Sequence, residues 1–165
     1  MVLKPKLLLT IVLLSSFSLI RGQRFQSFEL NSEWKEKIES MVRVQKKTYT
    51  KKKKKLLIFS LHTGYQHWTI PHTEAVMQII AQNSGAFEVT LSKDYTVFYK
   101  NKISKFDVII LNNTNSHGER RDLFWDIFNK DATLSIKQKT KKAKELEDNI
   151  IQFVKKGKGL MLLHG

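Results

Sequence analysis

The sequence has 165 residues, enough for one domain, and 41% are hydrophobic, so a packed core is expected instead of global disorder. It contains no cysteine, which excludes disulfides, thiolate metal sites, a cysteine nucleophile and a lipoprotein anchor within this chain. The formal net charge is +14, from 29 Lys and Arg against 15 Asp and Glu, which predicts a basic surface.

The first 22 residues have the pattern of a secretory signal peptide. Lys4 and Lys6 give a positive start, Leu7–Ile20 is mainly apolar, and Gly22 is a small residue at a plausible cleavage point. A retained membrane anchor is the competing interpretation, but the apolar run is shorter than the roughly 20 residues that a span needs. We therefore predict that residues 1–22 are removed, leaving no stable membrane span, and that the protein is secreted or periplasmic.

Residues 23–54 are predicted to form a helical approach segment and a lysine-rich linker. Trp34, Ile38 and Met41 are spaced as on one face of a short amphipathic helix. Lys46–Lys55 contains seven lysines in ten residues. A solvated linker that protects the next strand from aggregation and a polyanion-binding tail both fit this run, and the lack of accompanying Arg favours the linker.

From residue 55 to residue 165, predicted strands alternate with helices, which indicates a parallel α/β sheet with helices on both faces. Short apolar runs predict strands at Leu56–Phe59, Phe87–Leu91, Phe106–Leu111 and Leu160–Leu163. Helical periodicity predicts a helix over Thr73–Ser84 and a longer one that a capping box at Ser135 and Gln138 opens. The apolar stripe predicted for the longer helix comprises Ala143, Leu146, Ile150, Phe153 and Val154. The connection Asn112–Leu134 is long for such a unit, and long connections are often functional.

Polar residues follow three of the predicted strands, where open α/β sheets bind their ligands. The candidate ligand-binding residues are His62, Gly64, Tyr65, Asn112, Asn113 and Thr114. The candidate catalytic residues are His67 and His164, because imidazole can take up and release protons near neutral pH. The opposite edge receives mainly Lys and Gly.

The spacing of His62, His67 and His72 is five and five, which matches neither helical nor strand pairing of metal ligands. Loop packing or hydrogen bonding is the commoner use of such histidines, so the metal and any cofactor stay open. No serine elbow and no phosphate-binding glycine loop occurs in the sequence.

Three motifs, in this order, resemble those of the ThuA-like (trehalose-utilisation) family. They are the Gly-aromatic-x-His loop Thr63–His67, the strand with its polar exit Phe106–Thr114, and the Gly-rich turn, strand and His of Lys156–Gly165. Together they cover about residues 55–165. The resemblance implies the flavodoxin-like α/β fold of the class I glutamine-amidotransferase-like superfamily.

The resemblance also carries expectations about chemistry. In that superfamily the strand equivalent to Leu160–Leu163 ends in an elbow with a catalytic cysteine. This chain has His164 there instead, so amidotransferase chemistry by a thiolate is excluded. The family has further strands and helices after the elbow, so we expect these residues to be the N-terminal part of a domain that is incomplete at its C-terminus.

The expected function is that of an exported ThuA-like domain with a cleft for a small, carbohydrate-related ligand at the carboxyl edge of the sheet. Hydrolysis by His67 and His164 is one hypothesis. A non-catalytic domain that stacks a sugar ring on Tyr65 or Trp68 is a second, and an inactive truncated fragment is a third. Nucleic acid is not expected as a partner, because the protein is exported and its positive charges are spread beyond one patch.

Overall fold

A computed structural model describes residues 28–42 and 52–164 of the chain. The predicted signal peptide, residues 1–22, and the first part of the lysine run lie outside the described residues. Within the described part, no helix is long and apolar enough to cross a membrane.

Parallel strands alternate with helices along the described chain. The strands are β1 (Lys54–Phe59), β2 (Phe87–Ser92), β3 (Val108–Asn112) and β4 (Gly159–Leu163). The helices are α1 (Ser32–Met41), α2 (Ile70–Asn83), α3 (Lys100–Ile103), α4 (Leu123–Asn129) and α5 (Ile136–Lys155), with a 3-10 turn at Tyr95–Phe98 before α3.

The sheet has the order β2-β1-β3-β4, and all three pairings are parallel. Successive residues of a strand point to opposite faces, so the apolar runs of β1 and β3 supply two cores. One core packs α3, α4 and α5 against a face that includes Leu57 and Ile109. The other packs α2 against a face that includes Leu56 and Ile58. Helices therefore cover both faces, and the predicted flavodoxin-like α/β sheet is confirmed.

Helix α5 begins with the predicted capping box. The Ser135 hydroxyl accepts the backbone N–H of Gln138 at 3.3 Å, and the Gln138 side-chain oxygen accepts the backbone N–H of Ser135 at 2.8 Å. Leu146 and Phe153 of the predicted stripe are buried in the core. Val154 is exposed, so its assignment to the stripe was wrong. Each residue of an α-helix is turned by about 100° from the one before it, and Val154 therefore leaves the face that Phe153 occupies.

Other elements also differ from the predictions. Helix α2 begins at Ile70 instead of Thr73, because Pro71 is tolerated in the first turn of a helix. The third strand begins only at Val108, after Asp107, whose carboxylate accepts the backbone N–H of Lys55 at 2.9 Å. The sequence also did not predict α4 inside the long connection after β3.

Strand β4 forms one edge of the described sheet. Its side chains at Leu160, Met161 and Leu162 are exposed, in contrast to the buried side chains of β1. Of the apolar side chains of this strand, Leu163 packs against the described core, and these three do not.

We predict that substitutions at two leucines change the free energy of unfolding by very different amounts. Leu146→Ala removes a side chain that is 0% exposed and lowers the free energy of unfolding by about 2–5 kcal/mol, because it leaves a cavity. Leu162→Lys changes a side chain that is 70% exposed and shifts the free energy of unfolding by less than about 0.5 kcal/mol. Urea unfolding of the two variants measures both values, and equal losses would contradict the assignment of β4 to an edge.

Candidate functional site

The loops that leave β1 and β3 are joined at the carboxyl end of the sheet. The backbone N–H groups of Thr63 and Gly64 donate to the carbonyl oxygen of Asn115, at 3.0 and 3.3 Å. The Asn115 amide nitrogen donates to the carbonyl oxygen of Tyr65 at 3.0 Å. These bonds fix the relative position of two of the three loops that the sequence placed at this edge.

Gly64 is needed where these loops meet. A Cβ atom there would lie 2.4 Å from the Oδ1 atom of Asn115 and 3.0 Å from the backbone carbon of Ser116. Both distances are too short, and the second involves backbone, which yields less easily than a side chain. The structure thus assigns Gly64 a role in the close approach of the loops.

His67, His164 and Tyr65, the histidine cluster, come together at this edge. The ring centroids of His67 and His164 are 6.1 Å apart, and the Tyr65 ring lies 4.7 Å from that of His67, edge to face. Tyr65 is 68% exposed, and His164 directly follows β4. The two candidate catalytic histidines, far apart in sequence, are therefore neighbours in space.

Asn112 supports the edge from beneath. Its side chain is fully buried, and its Oδ1 atom accepts the hydroxyl of Thr73 at 2.7 Å. Its amide nitrogen donates to the Ser60 hydroxyl and to the Ile70 carbonyl oxygen, both at 3.1 Å. Ser60 in turn donates to Glu74 at 2.6 Å. This candidate residue consequently ties β3 to β1 and to the start of α2.

The remaining candidates have different surroundings. Asn113 is buried with a φ of 51°, a left-handed conformation that Asn adopts more readily than most residues, and its backbone N–H donates to the Leu163 carbonyl oxygen at 2.8 Å. His62 is partly buried, and its Nδ1 atom has no hydrogen-bond partner in the described part of the chain. Thr114 lines a separate pocket, so the structure does not bring all the candidates into one cleft.

That separate pocket lies on the α4 and α5 face and has a volume of about 210 Å³. Phe59 and Leu111 contribute apolar surface, and Asp122 and Glu147 contribute carboxylates. Partial loss of hydration raises the pKa of Glu147, and the nearby Asp122 carboxylate raises it further. Sequence reasoning missed Glu147, since the helical period only places it on the exposed side of α5.

His72 belongs to an aromatic cluster that attaches α1 to α2. Its Nε2 atom donates to the Phe28 carbonyl oxygen at 2.9 Å, and its ring lies 4.9 to 5.4 Å from the rings of Phe28, Trp34 and Trp68. His72 and Trp68 thus both belong to this aromatic cluster beside α1. Among residues 28–42 and 52–164, no three His, Cys, Asp or Glu side chains are grouped to hold a metal ion.

Asp126 of α4 is the residue at this edge that sequence reasoning most clearly missed. Its Oδ2 atom accepts the hydroxyls of Thr63 and Ser116, each at 2.6 Å. Burial acts to raise the pKa of Asp126, but these bonds, with those from the backbone N–H groups of His117 and Gly118, outweigh it and lower the pKa. The ionised carboxylate therefore holds the β1 and β3 loops together. The only signal in the sequence was its position in the long connection after β3.

We predict that Asp126→Asn destabilises the chain by about 1–3 kcal/mol at neutral pH, because one oxygen acceptor is replaced by a donor. A carboxyl group with a lowered folded-state pKa stabilises the fold above its unfolded-state pKa of about 4 and loses this effect as the pH falls through the folded-state value. The gap between wild type and variant should therefore narrow below about pH 4.

Urea unfolding of both proteins at a series of pH values measures this gap. Ser40→Ala in α1 is a suitable control, because its hydroxyl donates only within its own helix. A gap that stays constant down to strongly acidic pH would contradict the role assigned to the carboxylate.

No family model, curated protein or solved structure matches this chain. The α/β fold is therefore established by the parallel sheet and its two layers of helices. The resemblance of three short motifs to the ThuA-like family stays a prediction.

Proposed function

We propose that the carboxyl edge of the sheet binds a small, carbohydrate-related ligand at the histidine cluster, in a ThuA-like domain of an exported protein. The single observation that carries the proposal is the meeting of His67, His164 and the exposed Tyr65 ring at the edge where open α/β sheets bind ligands. Export rests on the signal-like N-terminal sequence, and the family on the three motifs.

Tyr65 suits the apolar face of a sugar. Aromatic rings at binding sites offer a large, stiff apolar surface together with a polar tip. Its ring is fixed on one side by the His67 ring, and its carbonyl oxygen is held by Asn115. A sugar ring stacked on the open side of Tyr65 would place its hydroxyl groups near the imidazole nitrogens of the cluster.

The separation of His67 and His164 suits a shared polar group. An imidazole nitrogen reaches a hydrogen-bonded oxygen at about 2.8 Å, so rings 6.1 Å apart at their centroids can both contact one oxygen atom. In a binding protein that oxygen is a ligand hydroxyl. In a hydrolase that oxygen belongs to the attacking water, which gives a proton to one imidazole as its oxygen bonds to the sugar carbon. The other imidazole, in its protonated form, gives its proton to the leaving oxygen as the glycosidic bond breaks.

Binding without catalysis is the first candidate and hydrolysis the second. Two carboxylates that contact these loops already have hydrogen-bond partners, since Asp126 accepts two hydroxyl groups and Glu74 accepts that of Ser60. The two histidines are therefore the groups on which proton transfer would depend. Hydrolysis is the second candidate because the rings of His67 and His164 are neighbours at this edge.

We predict that Tyr65→Ala weakens sugar binding at least about fivefold, because stacking contributes on the order of 1 kcal/mol or more. Tyr65→Phe keeps the ring and should retain the affinity within about a factor of three. Isothermal titration with trehalose, maltose and cellobiose measures both. No binding of these sugars to the wild-type chain, or equal losses in the two variants, would contradict the proposal.

His67→Gln and His164→Gln separate the two candidates. In a binding protein, both variants bind the sugar more weakly, and no p-nitrophenol is released from p-nitrophenyl glycosides by any of the proteins. In a hydrolase, wild type releases p-nitrophenol, and either variant loses most of this rate while Tyr65→Phe keeps it. Unfolding curves of all the variants show whether the fold has been preserved.

A further inference from the structure

The amino end of the sheet, opposite the histidine cluster, brings together lysines from separate segments of the described chain. All strands run parallel, so their amino ends meet at one edge. Lysines that precede or begin strands, or that belong to α3, lie at this basic end. They include Lys52, Lys54, Lys100, Lys102, Lys156 and Lys158.

Asp107 shows how closely some of these charges approach one another. The backbone N–H of Lys55 lowers the pKa of this aspartate most strongly, and the ammonium groups of Lys54, Lys158 and Lys52 lower it further. Three lysines from two segments of the chain therefore act on a single carboxylate. Among these neighbouring charges, positive groups outnumber the negative one.

A groove of about 1040 Å³ opens beside this point, between α3 and the second half of α5. Four lysines line it, and Glu145 is the one acidic residue in its described lining. Amide side chains, including Asn101 and Gln152, add neutral donors and acceptors. The lysines that line the groove are Lys100, Lys102, Lys156 and Lys158.

Two of these lysines are structural. The Lys158 ammonium group donates to the carbonyl oxygens of Ser104, at 2.9 Å, and Phe106. That of Lys102 donates to the Thr96 hydroxyl at 2.6 Å. Lys100 and Lys156 are exposed and belong to opposite walls, one in α3 and one just after α5. They are consequently the side chains best placed to contact a ligand.

We propose that this groove binds an acidic polysaccharide, whose carboxylate or sulfate groups pair with the lysines and whose hydroxyl groups bond to the amides of Asn101 and Gln152. Charge complementarity carries the choice of an anion, since four lysines oppose one glutamate. Amide donors and acceptors on both walls suit a chain of hydroxyl-bearing rings. The proposal concerns the opposite end of the sheet from the histidine cluster and does not depend on it.

Other polyanions fit the groove less well. An acidic protein segment anchors itself through apolar side chains, but Ile103 and Phe153 of the groove lining are only 4% and 3% exposed. Single-stranded nucleic acid needs a series of exposed aromatic rings for stacking, whereas the described groove lining has only Tyr99, which is partly buried, and Phe153, which is buried. Duplex DNA is a wide convex rod, which a groove of this volume does not admit.

The test is isothermal titration of the full chain at low salt with two probes, a heparin octasaccharide for sulfate and a polygalacturonate octamer for carboxylate. We expect at least one probe to bind, with an affinity that falls as salt rises. Lys100→Glu/Lys156→Glu should weaken it at least about tenfold. Lys137→Glu/Lys141→Glu, exposed residues in the first half of α5, changes the net charge equally and should weaken it less than about twofold.

Three outcomes would overturn the proposal. They are the failure of both probes to bind the wild-type chain, equal losses in the two double variants, and binding of polyglutamate or a short DNA duplex as tightly as the better octasaccharide. Lys100→Gln/Lys156→Gln, which removes charge without reversing it, should lose affinity in the same direction. Circular dichroism of every variant separates loss of binding from loss of fold. The proposal would be supported if both double variants at Lys100 and Lys156 bind the probe more weakly while the Lys137→Glu/Lys141→Glu variant does not.

Discussion

The buried amide of Asn112 is the interaction on which the carboxyl end of the sheet depends. A buried side-chain amide is stable only when its donors and acceptor are satisfied, and here Thr73, Ser60 and Ile70 satisfy them. The bonds fix where β3 ends relative to β1 and where α2 starts. The loops above this point are then joined to each other by Asn115 and Asp126. Two sets of hydrogen bonds, those of Asn112 and those of Asn115 and Asp126, therefore support the loops that carry the histidine cluster.

The regular part of the fold could be predicted from the sequence because its signals are local. The apolar run of β1, the capping box of α5 and the alternation of strands with helices each depend on residues close together in the chain. The ends of the elements were less predictable, as the exposed Val154 shows. Helix α4 was missed because its residues were assigned to a connection, although Phe124 and Phe128 have helical spacing.

The candidate site was predictable only as a set of segments. Strand polarity predicted that His67 and His164 would reach the same edge, and the structure places their rings near each other. Which side chains support the edge and which face outward depended on contacts distant in sequence. Asn112 is buried in contacts with a loop and a helix, Gly64 lies where two loops meet, Thr114 lines another pocket, and His72 packs with α1. Asp126, 63 residues from its partner Thr63, gave no local signal.

The exposed edge of β4 has a consequence for how copies of this chain meet. An open strand edge offers unpaired backbone groups to any other strand, and exposed apolar side chains such as Leu162 favour association at this edge. Lys155, Lys156 and Lys158 precede the strand directly. Two copies stacked in parallel register would bring these like charges face to face, whereas an antiparallel pair would set them at opposite ends. Repulsion between these lysines would therefore disfavour parallel, fibril-like stacking of the edge more than antiparallel pairing of two copies.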